Sequence, residues 1–546
     1  MNTRLFLCVI IAAMLAVSCQ DEIPPAGTVN VPLNYNESES GPSLTPINFG
    51  KYDQTALVTM PANGHSVILV KLNTGTAGVP YSKTGSVTES SGGRSAADTP
   101  ETPVFSAMRS LAAGGETDGG YKHYALAQEF NANPPVFTDA PAARQAFARS
   151  DDTVIPAPSP AALNDTKSFW ITNANNTFIS KSGMLKGLST HAEVWVLAES
   201  NNISDTNAQA IAEKFDLIYD KETELLGYEY GGGPGGSGGV DINPKVLILV
   251  YDICETNVVG YFWAKDYYTD AELSAYGYKS NGAEIFYMDS QYYKGQDGPN
   301  LIYSTLAHEF QHMIHFNQKV VKERRNLNSA AWYNEMLSLL AEDVISPLIG
   351  IAPSMSGHPV TLRFPTFKNY YWFSGVNQLN TNDARAAYSY ANVYGFGAYL
   401  VRNYGGPALL QAMVTNAYTD EKSIEKAVKT ITGDEVSFST LYEQFPAVML
   451  NRTQSGKTFN KEAAGVINGT TYTFSPIDIG DGPLVFAKNS FLTTVKRIPS
   501  FDDTTGIPPK GIILESAHEW VSITSNLSLT IARPSSAFVR LYIMVL

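Results

Sequence analysis

The chain has 546 residues, enough for two to four domains with buried cores, and a formal net charge of −14 that argues against a nucleic-acid binder. Apolar residues make up 44% and charged residues 16%, with 43 Gly, 30 Pro and 30 Tyr, which excludes a coiled coil and a wholly disordered chain. Three Cys are too few for a disulfide framework.

Residues 1–18 read as a signal peptide: Arg4 precedes an apolar run from Leu5 to Val17 that is too short for a stable span. The run closes on Leu15-Ala16-Val17-Ser18-Cys19, small residues before a thiol, which resembles a bacterial lipoprotein processing site. Cys19 is then the lipidated amino terminus, holding the protein to a membrane of the bacterial cell envelope, periplasmic or surface-exposed. With Cys8 removed and Cys19 blocked, Cys254 is expected to be a buried, inert thiol.

Residues 19–45, rich in Pro, Asn, Ser and Glu, read as a tether. Residues 46–135 read as a small β-rich domain with linkers. Within it, residues 54–72 alternate apolar and polar about Pro61-Ala62-Asn63-Gly64, which predicts a hairpin. Residues 85–103 and 112–120 lack periodicity and read as linkers, and Pro156, Pro158 and Pro160 stiffen a spacer over 154–160.

The pattern then tightens. Strands are expected at 168–171 and 192–197. A helix is expected at 205–219, with Asp205 as N-cap and Ala208, Ile211, Ala212 and Phe215 on one face. Residues 231–239, glycines around one Pro and one Ser, read as a flexible surface loop. The continuous apolar run 244–251 predicts a central strand. A further strand at 284–289 is expected to be the edge against which an extended substrate pairs. Helices are expected at 303–321 and 330–348. Residues 461–546 return to short β-like runs and read as a separate C-terminal β domain.

The chemistry concentrates in His308-Glu309-Phe310-Gln311-His312. On a helix the two His lie one turn apart, so both imidazoles reach one metal ion, and Glu309 beside them serves as general base. This is the pattern of zinc hydrolases, so Zn2+ is the expected cofactor. A catalytic zinc takes three protein ligands, and Glu335, opening the next helix, is the expected third. Glu342 is placed to orient His308 or His312 through the other ring nitrogen. His315 falls near the same face, either behind the ligands or exposed. Asp343 is either a further supporting group for the metal or a carboxylate bonded to backbone donors.

Residues 303–343, with His308-Glu309-Phe310-Gln311-His312, Phe316-Asn317, Trp332-Tyr333-Asn334-Glu335 and Ala341-Glu342-Asp343, resemble the hyicolysin-type (M30) neutral zinc metalloproteases of the glutamate-zincin group. Gly260-Tyr261-Phe262 upstream and Tyr394-Gly395 downstream extend the likeness over about 165–455. The resemblance implies an α+β fold: a zincin-like domain over 161–455 with a mixed sheet and active-site helices, flanked by N- and C-terminal β-rich domains. It also implies Glu335 as third ligand. A Tyr beyond the second helix would stabilise the oxyanion, with Tyr394 as first candidate and Tyr390 as rival. The family's usual Gly after the Asn-Glu pair is Met336 here, which narrows the approach of the neighbouring helix. The implied activity is zinc-dependent endopeptidase action on extracellular or periplasmic proteins or peptides. The competing reading is a surface-anchored binding or adhesion protein with a degenerate protease domain.

Overall fold

The computed structural model describes residues 27–31, 44–51, 53–60, 67–80, 85–89, 123–135, 160–200, 203–255, 258–294, 298–323, 328–379, 386–450, 456–479, 507–516 and 527–545. The expected signal peptide, Cys19 and the spacer at 154–159 lie outside these residues.

The first strands are β1 (Gly27–Val31), β2 (Thr45–Pro46), β3 (Asp53–Met60), β4 (Val67–Asn73) and β5 (Gly85–Glu89). Helix α1 (His123–Ala132) follows, then β6 (Thr166–Thr172), β7 (Phe178–Leu188), β8 (Ala192–Leu197), α2 (Asp205–Leu226), β9 (Val246–Tyr251), β10 (Gly260–Phe262) and β11 (Ile285–Asp289). A helical stretch comes next: α3 (Gly298–Phe316), α4 (Ala331–Ile345), α5 (Pro359–Tyr370), α6 (Ala386–Tyr404), α7 (Gly406–Thr415), α8 (Asp420–Thr432) and α9 (Phe438–Met449). The chain closes with β12 (Ala463–Ile467), β13 (Thr470–Phe474), β14 (Ile512–Ser516), β15 (Leu527–Ala532) and β16 (Val539–Val545).

The main sheet has six strands in the order β10-β11-β9-β8-β7-β6. Strands β11, β9 and β8 run parallel, and β10 closes one side antiparallel to β11. Every residue of β8, β9 and β11 is buried, as expected of strands covered on both faces. Phe215 of α2 meets Phe286 of β11 at 5.7 Å and Phe310 of α3 at 5.0 Å between ring centroids. The metal-motif helix is thereby welded to the sheet through aromatic contacts. The α+β class and the mixed sheet with packed helices agree with expectation.

Several local expectations are corrected. Ser204, not Asp205, caps α2: its hydroxyl accepts from the Asn207 amide at 3.1 Å. Strand β11 is interior, so the edge on its side of the sheet belongs to β10, whose three residues are too short to announce themselves by pattern. The glycine-rich loop is folded on itself, with Gly238 N–H donating to Gly231 O at 3.0 Å. A Cβ on Gly239 would fall 1.8 Å from Glu284 Oε2, so packing, not flexibility, demands glycine there. Cys254 is exposed at positive φ, and its thiol donates to Asp252 Oδ1 at 3.2 Å.

The terminal β regions are not two separate domains. Strand β3 lies between β1 and β15, and β4 lies between β14 and β16, giving two four-stranded sheets built from both ends of the chain. The expected hairpin over 54–72 is therefore split between sheets. Alternation of apolar residues fits either arrangement, because it reports the buried face and not the partner. Strand β1 lies inside the expected tether and β5 inside the expected linker, pairing with β15. Buried Asn73 fastens the two ends, donating to Ile507 O at 3.0 Å and Pro508 O at 3.1 Å. The hairpin β12–β13 packs on α7, α6 and α4, so the unit built around these helices runs past residue 461. Among the described residues no helix is long and apolar enough to cross a membrane.

Candidate metal centre

Helix α3 forms because Leu306, Phe310, Met313 and Ile314 give it a fully buried face. That same burial brings His308, Glu309 and His312 into the interior. Past Phe316 the helix widens into a π turn, Asn317–Val321. Helix α4 starts with its Ala330 amide bonded to Asp420 Oδ1 at 2.9 Å, which replaces a cap from its own sequence. Tyr333 anchors the first turn by donating to Met413 O at 3.0 Å. These fixings set Glu335 opposite the two histidines.

The geometry at the centre is tight. His308 Nε2 lies 2.9 Å from Glu335 Oε2, and His312 Nε2 lies 3.4 Å from Glu335 Oε1. One ligand atom from each of the three residues falls within 4.8 Å of the others, and all three residues are buried. Two imidazoles and one carboxylate converging in this way match the donor set of a catalytic zinc site. The outer ring nitrogens are also held. His308 Nδ1 lies 2.5 Å from Glu342 Oε1, and His312 Nδ1 lies 3.0 Å from Ser338 Oγ. Such partners fix tautomer and ring orientation. Ser338 also donates to Gln311 Oε1.

The local electrostatics are strong. Burial opposes charge on Glu335, but His312 and His308 outweigh it and hold the carboxyl well below the usual range. Burial likewise opposes a charged His308, but Glu335 and Glu342 outweigh it and hold the imidazole well above its ordinary value. Burial pushes the Glu309 carboxyl up to about 7, with His308 and His312 pulling the other way. Glu309 Oε2 has no hydrogen-bond partner among the described residues. A buried carboxylate oxygen left open beside a ligand set is what a general base needs.

The other expected residues divide. Glu342 joins the centre through His308. Asp343 faces away, accepting from Arg402 Nη2 and from the Tyr394 hydroxyl, each at 3.0 Å. Tyr394 is 0% exposed and its hydroxyl is committed to Asp343, so the structure does not bring it to the donor group. Tyr390 lies on the near side, its ring 6.5 Å from that of Tyr124. His315 is buried rather than exposed, and its Nε2 lies 3.1 Å from Ser329 Oγ, not against a ligand. Met336 fits against α6 because Gly397 stands there, where a Cβ would lie 2.7 Å from Met336 Cγ.

Two residues at the centre were not anticipated. Tyr124 and Gln128 of α1 both donate to Glu335 Oε1, at 3.0 and 2.5 Å. They lie 211 and 207 residues away in sequence, and no local motif links them to the histidines. The available signal is the helical spacing of His123, Ala127 and Phe130, which are the buried positions of α1.

Comparison with known proteins points the same way. The sequence profile of the Peptidase M30 family matches residues 189–472. The chain is also 28% identical to the neutral metalloprotease ShpI of Staphylococcus hyicus over 312 residues, which are 55% of this chain and 65% of that protein. The match thus spans just under two thirds of the relative's length.

Proposed function

Since the chain belongs to the Peptidase M30 family, we propose that it is a zinc-dependent endopeptidase acting on protein or peptide substrates. The signal segment and Cys19 would place it on the bacterial envelope; recovery of the native protein in the cytosolic fraction would remove that part of the reading. The observation that carries the activity is the convergence of His308, His312 and Glu335 beside Glu309, whose Oε2 has no partner among the described residues.

His308, His312 and Glu335 would hold the metal. When bound, zinc supplies Lewis acidity toward the scissile carbonyl and makes water nucleophilic near neutral pH. Glu309 accepts the proton of the attacking water, keeps it in a site shielded from solvent and passes it to the leaving amine. Glu342 and Ser338 fix the two imidazoles, so the ligand set needs little rearrangement. Tyr390 is the better placed of the two expected tyrosines to meet a substrate, because Tyr394 is spent on Asp343.

The test compares wild type with Glu309→Gln. The variant is expected to keep close to one zinc per chain while peptide-library cleavage falls by a factor of at least about 1,000, in line with loss of a general base that also donates to the leaving group. Chelation should abolish wild-type cleavage. Full turnover in the variant, or zinc without cleavage of any peptide by wild type, would sink the reading.

A further inference from the structure

Helix α1 precedes the family-matched segment, yet two of its side chains reach the Glu335 carboxylate. Ten residues of helix are marginal alone, so its position rests on what it touches. Its first turn is tied down by the Tyr124 amide donating to Glu255 Oε2 at 3.0 Å. His123 Nδ1 lies 2.5 Å from Thr172 Oγ1, against β6.

Three contacts fall where a substrate would work. Tyr124 and Gln128 both load Glu335 Oε1, an oxygen of the carboxylate assigned to the metal. Gln128 Nε2 also donates to the Tyr124 hydroxyl at 2.9 Å, which locks the pair together. At the other end, the Asn131 carboxamide donates to Phe262 O at 2.8 Å and accepts from Ala264 N–H at 2.8 Å. Phe262 is the last residue of β10, one of the two edge strands of the main sheet, and Ala264 opens the 3-10 turn that follows, so Asn131 takes up the carbonyl and amide where that edge ends. Between these ends Phe130 is buried among Tyr268, Tyr276 and Tyr278, with ring centroids 5.6, 5.6 and 5.9 Å away.

We propose that α1 is an intrachain plug: it occupies the substrate cleft from the ligand carboxylate to the end of β10, and it holds turnover of the wild-type chain at a low basal level until α1 leaves. The proposal rests on the peptidase reading of the same site. A peptide substrate pairing along β10 needs the Phe262 carbonyl and room beside Glu335, and α1 takes both. Besides hydrogen bonds from three polar side chains, α1 buries Ala127 and Phe130 in the main core, so its departure exposes those two side chains and leaves the hydrogen-bond ladder of the main sheet intact.

The test uses the zinc-loaded full chain, wild type and Gln128→Ala/Asn131→Ala, with a peptide hydroxamate as the cleft probe. The double variant is expected to gain at least about tenfold in kcat/KM on a fluorogenic peptide and to bind the hydroxamate at least about tenfold more tightly. In wild type, saturating hydroxamate should erase hydrogen-exchange protection of the α1 amides. A synthetic peptide of residues 123–135 should inhibit the double variant competitively. A fall in kcat/KM in the double variant, or hydroxamate bound with α1 still protected, would overturn the plug and make α1 a working wall of the cleft. The exchange measurement needs only wild type, so it stands even if the variant misfolds. Absence of zinc and of hydroxamate binding would instead strike the peptidase reading, and the plug with it.

Discussion

Glu229 is 4% exposed beneath the glycine-rich loop, with Oε1 accepting from the Tyr219 hydroxyl at 2.9 Å and Oε2 unpartnered among the described residues. Burial pushes its carboxyl up to about 7 from 4.5, and burial also raises its neighbours Asp241 and Glu284. A raised folded pKa means that the native state binds this proton more tightly than the unfolded chain. The stabilisation is therefore complete below pH 4.5 and lost as pH rises through about 7. Glu229→Gln keeps an acceptor for Tyr219 and removes the charge. It is expected to flatten the pH profile of unfolding and to add about 3 kcal/mol of stability at pH 8. Urea unfolding at pH 5 and pH 8 checks this, and an unchanged slope would refute it. The residues proposed to hold the metal were more legible at this scale than Glu229. His308 and His312 are four apart on one helix, and a local spacing survives in sequence. The environment of Glu229 depends on a loop closure that composition alone misreads as looseness.

At the scale of elements, the centre depends on how closely α6 approaches α4. Gly397→Ala places a methyl 2.7 Å from Met336 Cγ and 3.2 Å from Leu340 Cδ1. The overpacking should cost about 1–3 kcal/mol. Met336→Ala in the same chain should recover at least half of that cost, and a double-mutant cycle by urea unfolding measures the coupling. Strictly additive effects would show that the two residues do not bear on each other. Met336 was readable as a departure from the family pattern, but its compensation at Gly397, on another helix, was not. Strand β10 was likewise missed as the edge. Three residues carry too little pattern, whereas the longer apolar run of β11 drew the substrate role to itself.

Over the whole molecule, the family-matched region is enclosed between chain ends that pair with each other. Strand β4 has β14 and β16 as its two neighbours, and buried Asn73 reaches residues 507 and 508. Truncation after residue 506 would remove both neighbours of β4 and leave its polar backbone unpaired. Hydrogen exchange should then show loss of protection across residues 67–73 while α3 keeps its own. Protected amides in 67–73 of the truncated chain would contradict the shared-sheet account. Pairing at this distance leaves no trace in a local pattern, which is why the ends read as two domains.

That enclosure also orders events in time. The last three strands leave the ribosome after everything they must embrace, and joining β4 to β14 closes a loop containing all of α1 to α9. Closure of so long a loop is entropically late, whereas the helix contacts around α3 and α4 are comparatively local. The family-matched region therefore takes shape first, while β3 and β4 wait with open edges. Refolding should show an early phase in helical signal and a slower one as the sheets close, and the waiting strands make the interval between them the period of greatest exposure to aggregation.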